Sequence, residues 1–164
     1  MSVEPAAGAH EVVTALRAAR LTIACAESLT GGQVCATLVD VPGASNVVRG
    51  GVVAYAADLK ATLLGVDKAH LAAHGTVDAG TAAQMARGVR QRCESDLGVA
   101  TTGVAGPDES EGHPPGTVFI AVADADGVDV RRLALAGDRS AIRAGTVEAV
   151  LVLVAERVVA SGKD

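Results

Sequence analysis

The apolar run Leu21-Thr22-Ile23-Ala24-Cys25, followed by Ala26-Glu27-Ser28-Leu29-Thr30-Gly31-Gly32, constrains this chain more than any other segment. The run reads as a buried strand, and Val34, Leu38 and Val39 recur after it at helical spacing. A hydroxyl therefore stands where a strand gives way to a helix. In open α/β sheets that carboxyl-terminal edge is where ligands bind, and the free NH groups of the next helix's first turn can receive an anion or a developing oxyanion. Ser28 is thus a candidate nucleophile; the alternative is that it caps the helix.

The rest of the chain continues the alternation. Helices are expected over about 9–20, from just after Ser28 to Val41, over 58–64, briefly over 70–75, over 79–94 and over 139–160. Strands are expected at 51–55, 97–101, 116–123 and 128–135, the last two joined by the hairpin-type turn Asp124-Ala125-Asp126-Gly127. Helices alternating with strands early and a hairpin late imply a mixed sheet between helical layers. The ends, Met1 to Gly8 and Ser161 to Asp164, are expected to fray.

A chain of 164 residues suits one domain that buries about 70% of the surface its unfolded chain would expose. Its apolar residues are Ala, Val and Leu for the most part, with one Phe, one Tyr and no Trp, so close helix-on-sheet packing must replace aromatic bulk. A net charge of -5 with no basic stripe argues against nucleic acid as a partner. Charge or glycine interrupts every apolar stretch before membrane-spanning length. Cys25, Cys35 and Cys93 are odd in number, and no basic-then-apolar leader precedes the first helix, so a reduced cytoplasm is expected.

Three strands end in polar residues: Ser28, Tyr55 with Lys60, and Thr101-Thr102-Gly103. Strand ends of one sheet share an edge, so a single site is expected there. Lysine is scarce, three against eleven arginines. A desolvated lysine can lose its proton and act as a base, which arginine cannot do; codon bias would give the same scarcity without function. Tyr55 could pass a proton or simply sit amphipathically at a strand end. Glu27 could orient a donor or cap a backbone NH.

The loop Thr102-Gly103-Val104-Ala105-Gly106-Pro107 could wrap a phosphate with its amides or be a structural turn. Arg139 and Arg143, one helical turn apart, could clamp a phosphate or solvate a surface. His70 and His74 have the spacing of a zinc pair but lack a third ligand, so no metal site is expected. Asp108, Glu109 and Glu111 suit a cation or a solvated loop equally.

Taken together, the segments resemble one family. They are Ala26 to Gly32, Val41 to Ser45, Gly50 to Tyr55 with Lys60 and Leu64-Gly65-Val66, His74 to Val77, Thr102 to Pro107, Pro115 to Val118, and Gly137-Asp138-Arg139 with Arg143. The family is the carboxyl-terminal domain of the CinA competence/damage-inducible proteins, whose stand-alone members include nicotinamide-nucleotide amidases. The resemblance implies a three-layer α/β/α sandwich with a mixed, mostly parallel sheet, forming a homodimer or higher homo-oligomer. It also implies hydrolysis of nicotinamide mononucleotide to nicotinate mononucleotide and ammonia, in pyridine-nucleotide salvage, without a cofactor.

By the same resemblance Ser28 is the nucleophile, Lys60 the base, which would take the serine proton directly or through Tyr55, and Tyr55 its hydroxyl partner. Glu27, Thr30, Gly31, Gly32, Ser45, Thr102, Gly103, Ala105, Gly106, Arg139 and Arg143 would meet the substrate, and amides of the Gly31-Gly32 turn or near Thr102-Gly103 would hold the oxyanion. Two departures stand out: an acidic stretch from Asp108 to His113 where many relatives have glycines, and Asp78 in place of a serine, an exchange of helix caps. The amino-terminal nucleotide-processing domain of longer CinA proteins is expected to be absent. The competing readings are a non-catalytic nucleotide-binding or competence-linked module and an amidase for another small carboxamide.

Overall fold

A computed structural model describes residues 8–161. Helix α1 (Ala9–Ala19) leads into β1 (Ile23–Glu27), then α2 (Gln33–Val39), a short 3-10 turn (Ala44–Asn46) and β2 (Val48–Val53). Three helices follow, α3 (Ala57–Leu64), α4 (Lys68–His74) and α5 (Ala79–Arg92), then β3 (Leu97–Gly103), β4 (Thr117–Ala123), β5 (Val128–Ala134) and α6 (Arg139–Ser161). The strands form one sheet in the order β2-β1-β3-β4-β5. β1 pairs in parallel with β2 and β3, β4 is antiparallel to both its neighbours, and β5 therefore points the same way as the first three. Four of five strands share one direction, as a mixed α/β sandwich requires.

The three central strands β1, β3 and β4 bury both faces, on which their side chains alternate. Ile23, Cys25, Leu97, Val99, Val118, Ile120 and Val122 meet Val12, Leu16, Val34, Leu38, Ile142 and Leu153 from α1, α2 and α6. The opposite face offers Ala24, Ala26, Ala100, Ala121 and Ala123 to Met85, Ala86 and Val89 of α5 and Leu64 of α3. Alanines on that side let α5 lie close to the sheet. A Cβ on Gly98 would fall 2.1 Å from the Ala86 carbonyl, and one on Gly88 would fall 1.8 Å from the Leu64 carbonyl. Backbone contact thus replaces aromatic bulk, as the composition implies.

Several boundaries differ from the sequence reading. β2 starts at Val48 and ends at Val53, earlier than the expected 51–55, because its ladder with β1 runs from Val48, past a register shift at Arg49, through Gly50 and Gly51 backbone that no hydropathy pattern marks. α2 begins only at Gln33, since Gly31 and Gly32 take left-handed conformations (φ 57° and 103°) and hold Ser28 to Gly32 as a turn. Gly8 precedes α1 as its cap and Ser161 belongs to α6. The remaining expected frays, 1–7 and 162–164, lie outside the described residues. Asp78 caps α5 by accepting from the Thr81 amide, as expected of a serine's replacement.

Candidate active site

β1, β2 and β3 run parallel, so their carboxyl ends open onto one edge, where a pocket of about 480 Å³ forms. Ser28, Tyr55 and Lys60 line it together with Thr102 and Gly103. Ala105, Gly106 and Arg139 form part of its wall as well. The convergence expected from three distant segments is therefore present.

Lys60 is 1% exposed, the largest fully buried side chain. Its Nζ lies 3.0 Å from Ser28 Oγ, 2.8 Å from the Ala54 carbonyl oxygen and 3.4 Å from that of Tyr55. As an ammonium it donates to all three oxygens. As a neutral amine it keeps two N–H bonds on the carbonyls and turns its lone pair to the Ser28 hydroxyl. Burial disfavours the charge and pushes the amine down to about 8, against a smaller upward pull from the Glu111 carboxylate. About a tenth of the amine is thus neutral base against the hydroxyl at pH 7, and about half near pH 8.

Ser28 itself is fixed from several sides. Its amide donates to the Thr101 carbonyl at 3.1 Å, and Thr101 Oγ1 shares a hydrogen bond of 2.8 Å with Thr30 Oγ1. Arg143 does not reach the pocket, contrary to its expected place on substrate; its Nε donates to the Leu29 carbonyl (2.9 Å) and its Nη2 to that of Thr30 (3.2 Å). Its guanidinium is occupied in tying α6 to the turn that carries Ser28.

Glu27, Thr30, Gly31, Gly32 and Ser45 also stand off the pocket wall. The Glu27 carboxylate accepts from Val34 N (2.8 Å) and Cys35 N (3.0 Å), so it caps α2. That carboxylate occupies the helix-terminal amides an oxyanion was expected to use. The Gly31 amide donates to the Ser28 carbonyl at 3.0 Å and is likewise engaged. Ser45 precedes β2, whose start pairs with the start of β1, and so lies at the opposite edge of the sheet. Tyr55 reaches the pocket, but of the two expected routes for the serine proton the structure has the direct one: the phenol hydroxyl accepts from Arg139 Nη2 at 3.1 Å, while Arg139 Nη1 donates to the Gly106 carbonyl at 2.7 Å. The direct contact between Ser28 and Lys60 leaves no place for a phenol between them.

One wall was not legible in advance. Glu111 accepts from the Thr76 amide (2.9 Å), Thr76 Oγ1 (3.1 Å) and the Val77 amide (2.8 Å), and Thr102 Oγ1 donates to the Thr76 carbonyl at 2.7 Å. Burial pushes the Glu111 carboxyl up, but these donors outweigh it and leave it below the usual carboxylate range. The acidic loop therefore folds in as pocket wall with Asp108 and Ser110. The His74-Gly75-Thr76-Val77 segment was the available signal for it. His70 hydrogen-bonds Asp78 at 2.7 Å, and among the described residues no cluster of three or more His, Cys, Asp or Glu could hold a metal ion.

Residues 6–158 match the family model for the CinA C-terminal domain. This chain belongs to that family. It is 52% identical over 133 residues to a CinA-like protein of Frankia casuarinae, a match that covers 81% of this chain and 31% of that protein. The chain thus spans about a third of the length of the curated relatives it matches. A CinA superfamily protein from Klebsiella pneumoniae superposes with a TM-score of 0.92 at 28% identity, covering 96% of this chain and 99% of that one. The competence/damage inducible protein CihA of Agrobacterium tumefaciens superposes with a TM-score of 0.88 at 34% identity, covering 94% and 97%. The fold is accordingly the α/β arrangement of the CinA superfamily. No helix among the described residues is long and apolar enough to cross a membrane.

Proposed function

We propose that this chain is an amidase that hydrolyses the carboxamide of nicotinamide mononucleotide, releasing ammonia and nicotinate mononucleotide. The observation that carries the reading is a buried lysine amine, lowered to about 8, placed 3.0 Å from a serine hydroxyl at the wall of an open pocket. Such a pair is the minimal apparatus for nucleophilic acyl transfer.

In the scheme, neutral Lys60 takes the Ser28 proton as Oγ attacks the carboxamide carbon. The resulting ammonium then gives its proton to the departing nitrogen, and ammonia leaves with the C–N bond. Water, deprotonated by the same amine, cleaves the ester to acid and frees Ser28. Arg139 is a pocket cation that keeps its charge at every working pH and suits the phosphate of the substrate, with two of its donors already fixing its orientation on Gly106 and Tyr55. The scheme requires no metal.

Purified protein incubated with nicotinamide mononucleotide should release ammonia in step with nicotinate mononucleotide, and Ser28→Ala should abolish release while retaining binding. Binding without turnover in the parent chain would instead identify a nucleotide-binding module. Turnover of a different carboxamide in preference to the mononucleotide would keep the chemistry and reassign the substrate.

A further inference from the structure

We propose that Cys25 and Cys35 form a peroxide-reactive modification site whose disulfide closes the turn that carries Ser28. Cys25 lies on β1, with its side chain on the face covered by α1, α2 and α6. Cys35 stands in the first turn of α2, half-buried against the same core. Cys25 is the register partner of Gly51 in β2. Gly51 has no side chain, and Cys35 fills the volume it leaves: a Cβ there would come 3.1 Å from Cys35 Sγ and 3.2 Å from its Cβ. Both side chains thus face the same space between the sheet and α2, and each shifts the other's titration. Cys93 packs with the opposite core, so the sheet separates it from the pair.

The two sulfurs have different reactivity. The neighbouring Cys25 side chain lowers the Cys35 thiol to about 7, while Cys35 and full burial raise Cys25. Cys35, with access to solvent, is the group that meets an oxidant first. Its thiolate attacks one oxygen of hydrogen peroxide, the O–O bond breaks, and the hydroxide released takes a proton to become water. Cys25 then attacks the Cys35 sulfenic sulfur; the S–O bond breaks, and the hydroxide leaves with the Cys25 proton as a second water. Two thiols lose two electrons and the peroxide gains them.

The ring so formed contains Glu27, Ser28 and Thr30. It runs parallel to a bridge already present, since the Glu27 carboxylate joins the end of β1 to the Val34 and Cys35 amides of α2. The new bond therefore links two segments whose separation is already fixed.

Mass mapping of the whole protein tests this. After exposure to stoichiometric hydrogen peroxide, free thiols are alkylated and the chain is cut with trypsin; cleavage after Arg20 and Arg49 leaves Cys25 and Cys35 in one peptide. The expected peptide is unalkylated and two hydrogens lighter than the reduced one. Dithiothreitol should restore both alkylation sites, and Cys93 should stay alkylated throughout. In Cys25→Ser, which lacks the resolving thiol, Cys35 should stop at sulfenic acid with one equivalent of peroxide and advance to sulfinic acid when a second equivalent is added. Two alkylated thiols after the peroxide is consumed, or Cys35 sulfinic acid beside an intact Cys25 in the parent chain, would overturn the proposal. The parent measurement needs no variant and no amidase activity.

Discussion

Replacing Lys60 with methionine should change how stability depends on pH. The amine is held at about 8 by burial against an ordinary 10.5. Below about pH 8 it is protonated in both folded and unfolded chains, and the fold bears the whole cost of a buried ammonium, at most about 3 kcal/mol. Between the two values the unfolded chain holds a proton that the folded one lacks, so stability rises with pH; above the higher value the cost is gone. From about pH 7 to about pH 9.5 the parent chain should gain at most about 2 kcal/mol relative to Lys60→Met, which has nothing to titrate at this site. Urea unfolding of both proteins at the two pH values, followed by far-ultraviolet circular dichroism, measures the difference directly. A stability difference that stays constant with pH would mean that the amine titrates as it does in water. The argument for a neutral base beside Ser28 would then fail.

Three further outcomes are expected. With nicotinamide mononucleotide, kcat/KM should rise with pH and level off above about 8, and Lys60→Arg, which cannot supply a neutral base, should lose the activity. Arg143→Ala frees the Ser28 turn from α6 without touching the pocket, so kcat should fall roughly tenfold to a hundredfold while KM stays nearly constant in steady-state assays. Gly88→Ala drives a Cβ into the Leu64 carbonyl and should cost about 1–3 kcal/mol in chemical denaturation, because backbone on α3 must move.

Legibility in the sequence followed the range of the interaction. The β1 strand and the place of Ser28 at its end could be read because Leu21, Ile23, Ala24 and Cys25 form a local apolar signal, although the strand itself runs Ile23–Glu27. Lys60 stood out through scarcity, its place after Tyr55 and the family resemblance, whereas its partner is 32 residues away. The start of α2 was misplaced because Val34 and Leu38 give the helix its period, whereas the left-handed glycines that delay it carry no hydropathy. β2 was shifted because an edge strand holding Arg49, Gly50 and Gly51 is defined by its ladder, not by its side chains. The direction in which a side chain points was the least accessible. Tyr55, Arg139 and Arg143 were all picked out, yet only coordinates place the phenol on one guanidinium and the other guanidinium on two carbonyls. The grip of Glu111 on Thr76 and Val77 spans 35 and 34 residues, so the His74-Gly75-Thr76-Val77 segment could be picked out but its partner could not.

The scarcity of aromatic residues has a practical side. Tyr55 is the only tyrosine, no tryptophan is present, and the ring is 59% exposed at the mouth of the pocket with its hydroxyl on Arg139. All tyrosine emission from this protein therefore arises at the entrance to the candidate site. Any anion that draws the guanidinium away alters the phenol's surroundings, so the protein carries its own optical reporter of ligand arrival, and no label has to be attached.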